Sequence, residues 1–166
     1  MLTVATSLRQ LNWSQLMALY QEGNRENGAD LYPEEGPDQQ LFLAEQDFYD
    51  YLREAFFSLP GDRYCLWVEN GIYVSALRLQ NYQDGLLLEA LETHPDYRGR
   101  GYAKKLVAAV LEGVNGKVYS HISPRNGASL AVHKACGFVK MMNHSVYADG
   151  SVNSRCHTYR YEKPTL

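Results

Sequence analysis

The chain has 166 residues, 45 % of them hydrophobic, which is enough to bury one good core and too few for two ordinary domains. Its formal net charge of −3 and sequence pI of about 5.9 offer no positive field for polyanions, which argues against general nucleic-acid binding. Cys65, Cys136 and Cys156 are far apart and odd in number, and no CxxC or HExxH spacing joins them to the histidines, so neither a disulfide framework nor a metal site is expected. The start, MLTVATSLRQLNW, lacks the basic-then-apolar order of a signal peptide, and no apolar run approaches membrane-spanning length. One soluble, cytoplasmic domain over residues 1–166 is the expectation.

LTVATS reads as a first strand. Asn12 or Ser14 can cap a helix running to about Arg25, and residues 27–39, rich in Gly, Pro and acids, read as a loop. Asp38 then opens an aromatic amphipathic helix, QQLFLAEQDFYDYLREAFF, ending near Leu59-Pro60-Gly61. Two β-prone runs flank Asn70-Gly71, the pair best suited to a type I′ hairpin turn. A second turn at Gln83-Asp84-Gly85 leads into LLLEALET, a third antiparallel strand that Pro95 must stop.

From Gly101, the residues Ala103, Leu106, Val107, Val110 and Leu111 follow helical spacing, and Gly113 is placed to end the turn. GKVYSHIS reads as a strand, RNGASLAVHKAC as a short helix stopped by Gly137, and residues 138–163 as a closing hairpin around Asp149-Gly150. The order β-α-α-β-β-β-α-β-α-β-β predicts an α/β or α+β mixed sheet, mostly antiparallel, with helices on both faces.

THPDYRGRGYAKKL, residues 93–106, carries two glycines and several cations directly ahead of a helix. Helix N-termini hold unpaired N–H groups and the positive end of the macrodipole, so anions bind there if the chain can approach closely. Neither GxxxxGK[ST] nor GxGxxG is present. On its own the stretch is either a phosphate cradle or a helix start with solvated charges.

Strand, loop and helix over LLLEALETHP, DYRGRGYA and KKLVAAVLEG resemble the central segment of the GNAT superfamily of acyl-CoA-dependent N-acyltransferases. Its signature [QR]-x-x-G-x-[GA] is filled by Arg98, Gly101 and Ala103, preceded by Pro95 and Tyr97. Downstream, Asn126, Ser129, His133, Gly137 and Phe138 fit the family's second pattern in order and spacing. The resemblance implies acetyl-CoA as co-substrate, with its diphosphate on the N–H groups of Gly99, Arg100, Gly101, Tyr102, Ala103 and Lys104. It also implies a pantetheine arm between two splayed strands, held by backbone groups of Leu91 and Thr93, with Arg98, Asn126 and Ser129 at the same site. Thr93 departs from the usual valine, a change that a backbone contact tolerates.

Glu89 interrupts an apolar strand, and strict alternation puts it on one face with Leu87, Leu91 and Thr93, with Glu92 on the other. It is either the base that accepts a proton from the amine, as the resemblance implies nine residues before the motif arginine, or a solvated strand residue. His133 stands where many members of the family carry a tyrosine that protonates the departing thiolate; an imidazole keeps that chemistry available. His94 and His121 read as structural, and Cys65 and Cys136 as small buried hydrophobes. Residues 21–54 hold ten acids against two arginines, which would steer a cation if they wall the acceptor site, with Tyr32, Phe48, Tyr49 and Tyr51 adding aromatic surface.

The expectation is an N-acetyltransferase acting directly on a primary amine of a small cationic metabolite, with no metal, nucleic acid or membrane involved and a homodimer left open. A protein N-terminal or lysine acetyltransferase and a non-catalytic acyl-CoA-binding module are the alternatives.

Overall fold

The computed structural model describes residues 1–165; Leu166, the last residue of the expected domain, lies outside them. Its elements run β1 (Leu2–Ala5), α1 (Trp13–Leu31), α2 (Pro37–Tyr51), β2 (Arg63–Glu69), β3 (Ile72–Tyr82), β4 (Gly85–Thr93), α3 (Tyr102–Glu112), β5 (Lys117–Ile122), α4 (Gly127–Ala135), β6 (Val139–Met142), β7 (Ser145–Val146), β8 (Val152–Asn153) and β9 (His157–Glu162). Seven strands form one mixed sheet in the order β1-β2-β3-β4-β5-β9-β6, antiparallel except at β4–β5. The expected order and class hold. The closing hairpin differs: the turn at Asp149-Gly150 joins β7 and β8 in a small ribbon outside the sheet, while β9 enters between β5 and β6.

Asn12 caps α1, its Oδ1 accepting the Gln15 N–H at 3.1 Å. The helix does not stop at Arg25 but continues to Leu31, through Gly28. A Cβ at Gly28 would stand 2.3 Å from the backbone oxygen of Gln40, so this glycine lets α1 and α2 touch at close range. That packing outweighs its helix-propensity cost of about 1 kcal/mol. The loop shrinks accordingly, and Pro37 fills the first turn of α2 behind Gly36, with Asp38 inside the helix instead of capping it. At its far end α2 passes into one π-helical turn, Leu52–Phe56.

Each face of the sheet buries its own core. Leu16, Leu19 and Tyr20 of α1, with Leu52 and Phe56, cover Tyr64, Leu66 and Ala76 on one face. Leu106, Val107, Val110 and Leu111, the predicted stripe of α3, cover Leu77, Leu79 and Leu88 on the other. Among the described residues no helix is long and apolar enough to cross a membrane.

One irregularity sets the geometry of the middle of the sheet. Ala76 pairs with Glu92 and Arg78 with Glu89, so three steps of β4 answer two of β3. The extra residue is a β-bulge around Ala90, whose φ of 54 lies in the left-handed region. For a non-glycine residue that conformation costs on the order of 1–3 kcal/mol. It is fixed by Tyr20, whose hydroxyl donates to the Ala90 carbonyl at 2.6 Å.

The bulge inverts the alternation beyond it, which overturns one expectation. Glu89 shares its face with Leu87 and, across the bulge, with Glu92; Leu91 packs toward α3, and Thr93 pairs with Ser75 on that same side. The parallel β4–β5 ladder covers only Leu86↔Val118 and Leu87↔Tyr119, followed by a bond from Ser120 Oγ to the Leu88 carbonyl at 3.1 Å. Past that point the two strands part.

Tyr20→Phe removes the donor to the Ala90 carbonyl and should lower unfolding stability by about 1–3 kcal/mol in urea melts. An unchanged midpoint would show that the bulge holds itself.

Candidate active site

The gap between β4 and the second half of β5 opens onto the N-terminus of α3. Gly101 caps that helix at φ 79 and Gly99 precedes it at φ 74, both in the left-handed region, and a Cβ built at either would meet nothing within 4 Å. The first backbone bond of the helix is Lys105 N–H to the Gly101 carbonyl at 3.0 Å, so the N–H groups of Tyr102, Ala103 and Lys104 have no acceptor among the described residues. This is a concave cluster of donors at the positive end of a helix, suited to a phosphate group.

Leu91, Thr93, Arg98, Gly99, Gly101, Tyr102, Ala103, Lys104, Asn126 and Ser129 line one groove of about 400 Å3 there. Arg100 is the expected cofactor residue that does not; its guanidinium lies 5.3 Å from the Tyr97 ring centroid. Arg98 reaches the groove with its charge already matched. It forms a two-pronged pair with Glu22 (2.9 and 3.2 Å), touches Glu92 at 3.5 Å, and donates to the Thr93 carbonyl at 3.4 Å. The cradle therefore rests on backbone N–H groups more than on arginine charge. Burial, the largest cause, pushes the Glu92 carboxyl above its usual range.

A second cavity, of about 950 Å3, adjoins the first, since Leu91, Asn126 and Ser129 line both. Glu89 and His133 face it, so the two expected catalytic residues come together although the strand face predicted for Glu89 had the wrong neighbours. Glu89 Oε1 accepts from Arg78 Nε at 3.2 Å. Asn126 caps α4, accepting the Ser129 N–H at 3.1 Å.

His133 is 1 % exposed. Its Nδ1 lies 2.8 Å from the Ser129 carbonyl oxygen, which can only accept, so Nδ1 carries the hydrogen and Nε2 presents a lone pair. Nε2 is buried and has no partner among the described residues, and the ring edges onto Phe138 at 4.9 Å. Burial pushes the imidazole below its usual pKa, against a smaller upward pull from the Ser129 carbonyl, so the neutral ring is favoured. A neutral ring in this tautomer accepts at Nε2 and does not donate there.

The ten acids of residues 21–54 do not wall this cavity; the carboxylates lining it are Glu89 and Asp149. Glu22 holds Arg98, Asp50 and Glu54 hold Arg53, and Asp47 accepts from the Tyr32 hydroxyl. Of the four aromatic residues proposed for the acceptor site, only Tyr51 reaches it. Residues not anticipated there include Gln80, His121, Tyr147 and Cys156. His121, read as structural, has its Nε2 3.2 Å from the Tyr82 hydroxyl. The signal for the Tyr147–Asp149 wall lay in a turn, whose place over the site no local pattern records. Burial raises the Cys65 thiol to about 11, as expected of a buried packing residue; Cys136 is only partly buried, against the α3-side core, and its thiol is raised by the same cause.

A PaiA N-acetyltransferase from Thermoplasma acidophilum, solved with coenzyme A, shares the fold at a TM-score of 0.63 and 11 % identity, over 98 % of this chain and 99 % of its own. Spermidine N-acetyltransferase from Vibrio cholerae, solved with CoA and spermine, does so at 0.60 and 18 %, over 97 % and 95 %. The ribosomal-protein-S18-alanine N-acetyltransferase from Escherichia coli follows at 0.57 and 17 %, over 100 % and 96 %. No curated protein matches the chain by sequence. The family model described as "Acetyltransferase (GNAT) family" matches residues 13–138, a span that takes in the bulged strand, the α3 cradle and the Asn126–His133 helix. The chain belongs to the GNAT acetyltransferase family.

Proposed function

We propose that this chain is an acetyl-CoA-dependent N-acetyltransferase that passes the acetyl group directly to a primary amine of a small cationic metabolite, both substrates being bound together. The observation that carries this reading is the pair of adjoining cavities: one ends on the unpaired N–H groups of α3, the other holds Glu89, and Leu91, Asn126 and Ser129 line both. The open space at Gly99 and Gly101 fits a diphosphate, since any side chain there would crowd its approach. Arg98 and Lys104 border it, Arg100 adds charge from outside, and the backbone of Leu91 and Thr93 meets the pantetheine where β4 leaves β5.

Acetyl-CoA supplies an activated acyl carbon; the chain has to free a nitrogen lone pair and protonate a sulfur. An alkyl ammonium, with a reference pKa of about 10.4, must lose a proton before it attacks. In this reading Glu89 receives that ammonium and its proton leaves to solvent through the carboxylate. The C–N bond forms as the C–S bond breaks, and the second nitrogen proton has to reach the sulfur. His133 Nε2, a lone pair without a partner, takes that proton and hands it on. The proton that neutralises the thiolate then originates in the reaction, as the favoured neutral ring requires.

A small cationic amine is supported by Glu89 and Asp149 at the cavity, with the acidic surface of α1 and α2 adding long-range attraction. The spermidine enzyme sharing this fold supports the same class. The cavity's volume of about 950 Å3 favours a second reading, a protein N-terminus or lysine. In either case the enzyme acts as one cytoplasmic domain, residues 1–166, alone or as a homodimer.

The reading is tested by CoA thiol release with spermidine, simple diamines, phenylethylamine and a peptide with a free N-terminal alanine. Turnover on any of them is expected; none would leave a non-catalytic acyl-CoA-binding module. Glu89→Gln should lower kcat by about 100-fold or more while acetyl-CoA affinity is kept, and full activity would remove Glu89 from the mechanism. His133→Ala should slow single-turnover acetyl transfer by about tenfold or more. An unaltered rate would reject the proton transfer at Nε2.

A further inference from the structure

Arg78 is a charged residue set among apolar ones in β3, and only 14 % of its side chain is exposed. Its guanidinium carbon lies 5.0 Å from the ring centroid of Tyr51, 5.6 Å from Phe48, 5.7 Å from Phe56 and 6.0 Å from Tyr64. A cation removed from water needs compensation. Four ring faces supply part of it and Glu89 supplies the opposite charge. The π-helical turn Leu52–Phe56 follows Tyr51 directly and carries Phe56 as its last residue. Helix irregularity, aromatic box and ion pair thus coincide on one guanidinium.

Glu89 depends on this arrangement more than Arg78 does. Its Oε1 takes the Arg78 Nε–H at 3.2 Å, and Arg78 is its only hydrogen-bond partner among the described residues. Oε2 has none, while the side chain, 27 % exposed, lines the acceptor cavity. We infer that Arg78, clamped by four aromatic rings, is the positioning residue that holds Glu89 by Oε1 and leaves Oε2 to receive the ammonium of the acceptor. This rests on the reading that the acceptor occupies that cavity.

The same geometry bears on substrate class. Phe48 and Tyr51, rings that could have caged a substrate cation, are engaged by an internal one. Recognition at Glu89 therefore runs through a hydrogen bond to one carboxylate oxygen, which needs an N–H. Primary ammonium groups satisfy it and quaternary ammonium groups do not. A lysine at position 78 would keep the charge but lose the planar fork and its fixed Nε–H.

The test compares Arg78→Gln, Arg78→Lys, Glu89→Gln and the double variant R78Q/E89Q, using the panel amine that the wild type turns over fastest. Arg78→Gln should lower kcat/KM for the amine by about tenfold or more, with acetyl-CoA Kd within about twofold, and Arg78→Lys should recover part of the loss. Because Arg78 acts through Glu89, R78Q/E89Q should be no slower than Glu89→Gln, within about twofold. Losses that multiply, or wild-type activity in Arg78→Gln, would overturn the inference. If Arg78→Gln does not fold, R78K/E89Q against Glu89→Gln makes the same comparison. Crystals of Arg78→Gln, or of Arg78→Lys in that case, give a readout free of activity: the Glu89 carboxylate should leave its wild-type place, and an unmoved one would overturn the inference. A wild type that acetylates no amine, with Glu89 displaced in the variant, would sink the proposed function and leave the pairing standing.

Discussion

The bulge at Ala90 is the constraint on which the site depends. A regular β4 would keep pairing with β5 and would send Glu89, Leu91 and Thr93 to one face. One extra residue in a left-handed conformation turns the strand instead. It puts Glu89 beside Arg78 on the α1–α2 side and Leu91 on the α3 side, and it lies where the parallel ladder with β5 ends. Strain of this kind persists only where the surroundings over-determine it. Here α1 supplies the determinant, the Tyr20 hydroxyl on the Ala90 carbonyl. The helix that ties down Arg98 through Glu22 thus also holds the bulge in place.

Cations at the site are tied up more than their number suggests. Arg98 sits between Glu22 and Glu92, Arg100 stacks on Tyr97, and Arg78 is boxed by rings and paired with Glu89. What stays open to an anion is chiefly backbone, the N–H groups at the start of α3 with the Lys104 side chain at the same groove, and the two glycines matter because they leave that backbone bare. Arg98 instead ties α1, through Glu22, to the loop before α3, fixing the cradle relative to the acceptor side.

Local patterns in the chain carried most of the architecture. Asn70-Gly71 specified its hairpin by left-handed preference, the Leu106–Leu111 stripe its helix by period, and Asn12 its cap by side-chain chemistry. Ten of the eleven cofactor residues expected from the motifs line one groove, Arg100 being the exception. What escaped was tertiary. Gly28 looked like a helix breaker because its contact with Gln40 is distant in sequence. Ala90 gives no sign of a bulge because alanine has no preference for positive φ, so strict alternation reads straight past it. An acid count along α1 does not show that Glu22 is matched by Arg98, distant in sequence, and Arg78 inside SALRLQ is a lone charge in an apolar strand that asks for a buried partner without naming it.

The central claim is that bulge and splay create one continuous channel from the α3 cradle to Glu89. A crystal structure of the protein with acetyl-CoA tests it most directly. The account predicts the diphosphate on the N–H groups of residues 99–104, the pantetheine between β4 and β5, and the thioester at Leu91, facing the cavity that holds Glu89 and His133. A diphosphate held by side chains elsewhere, or a thioester directed away from Glu89, would contradict it.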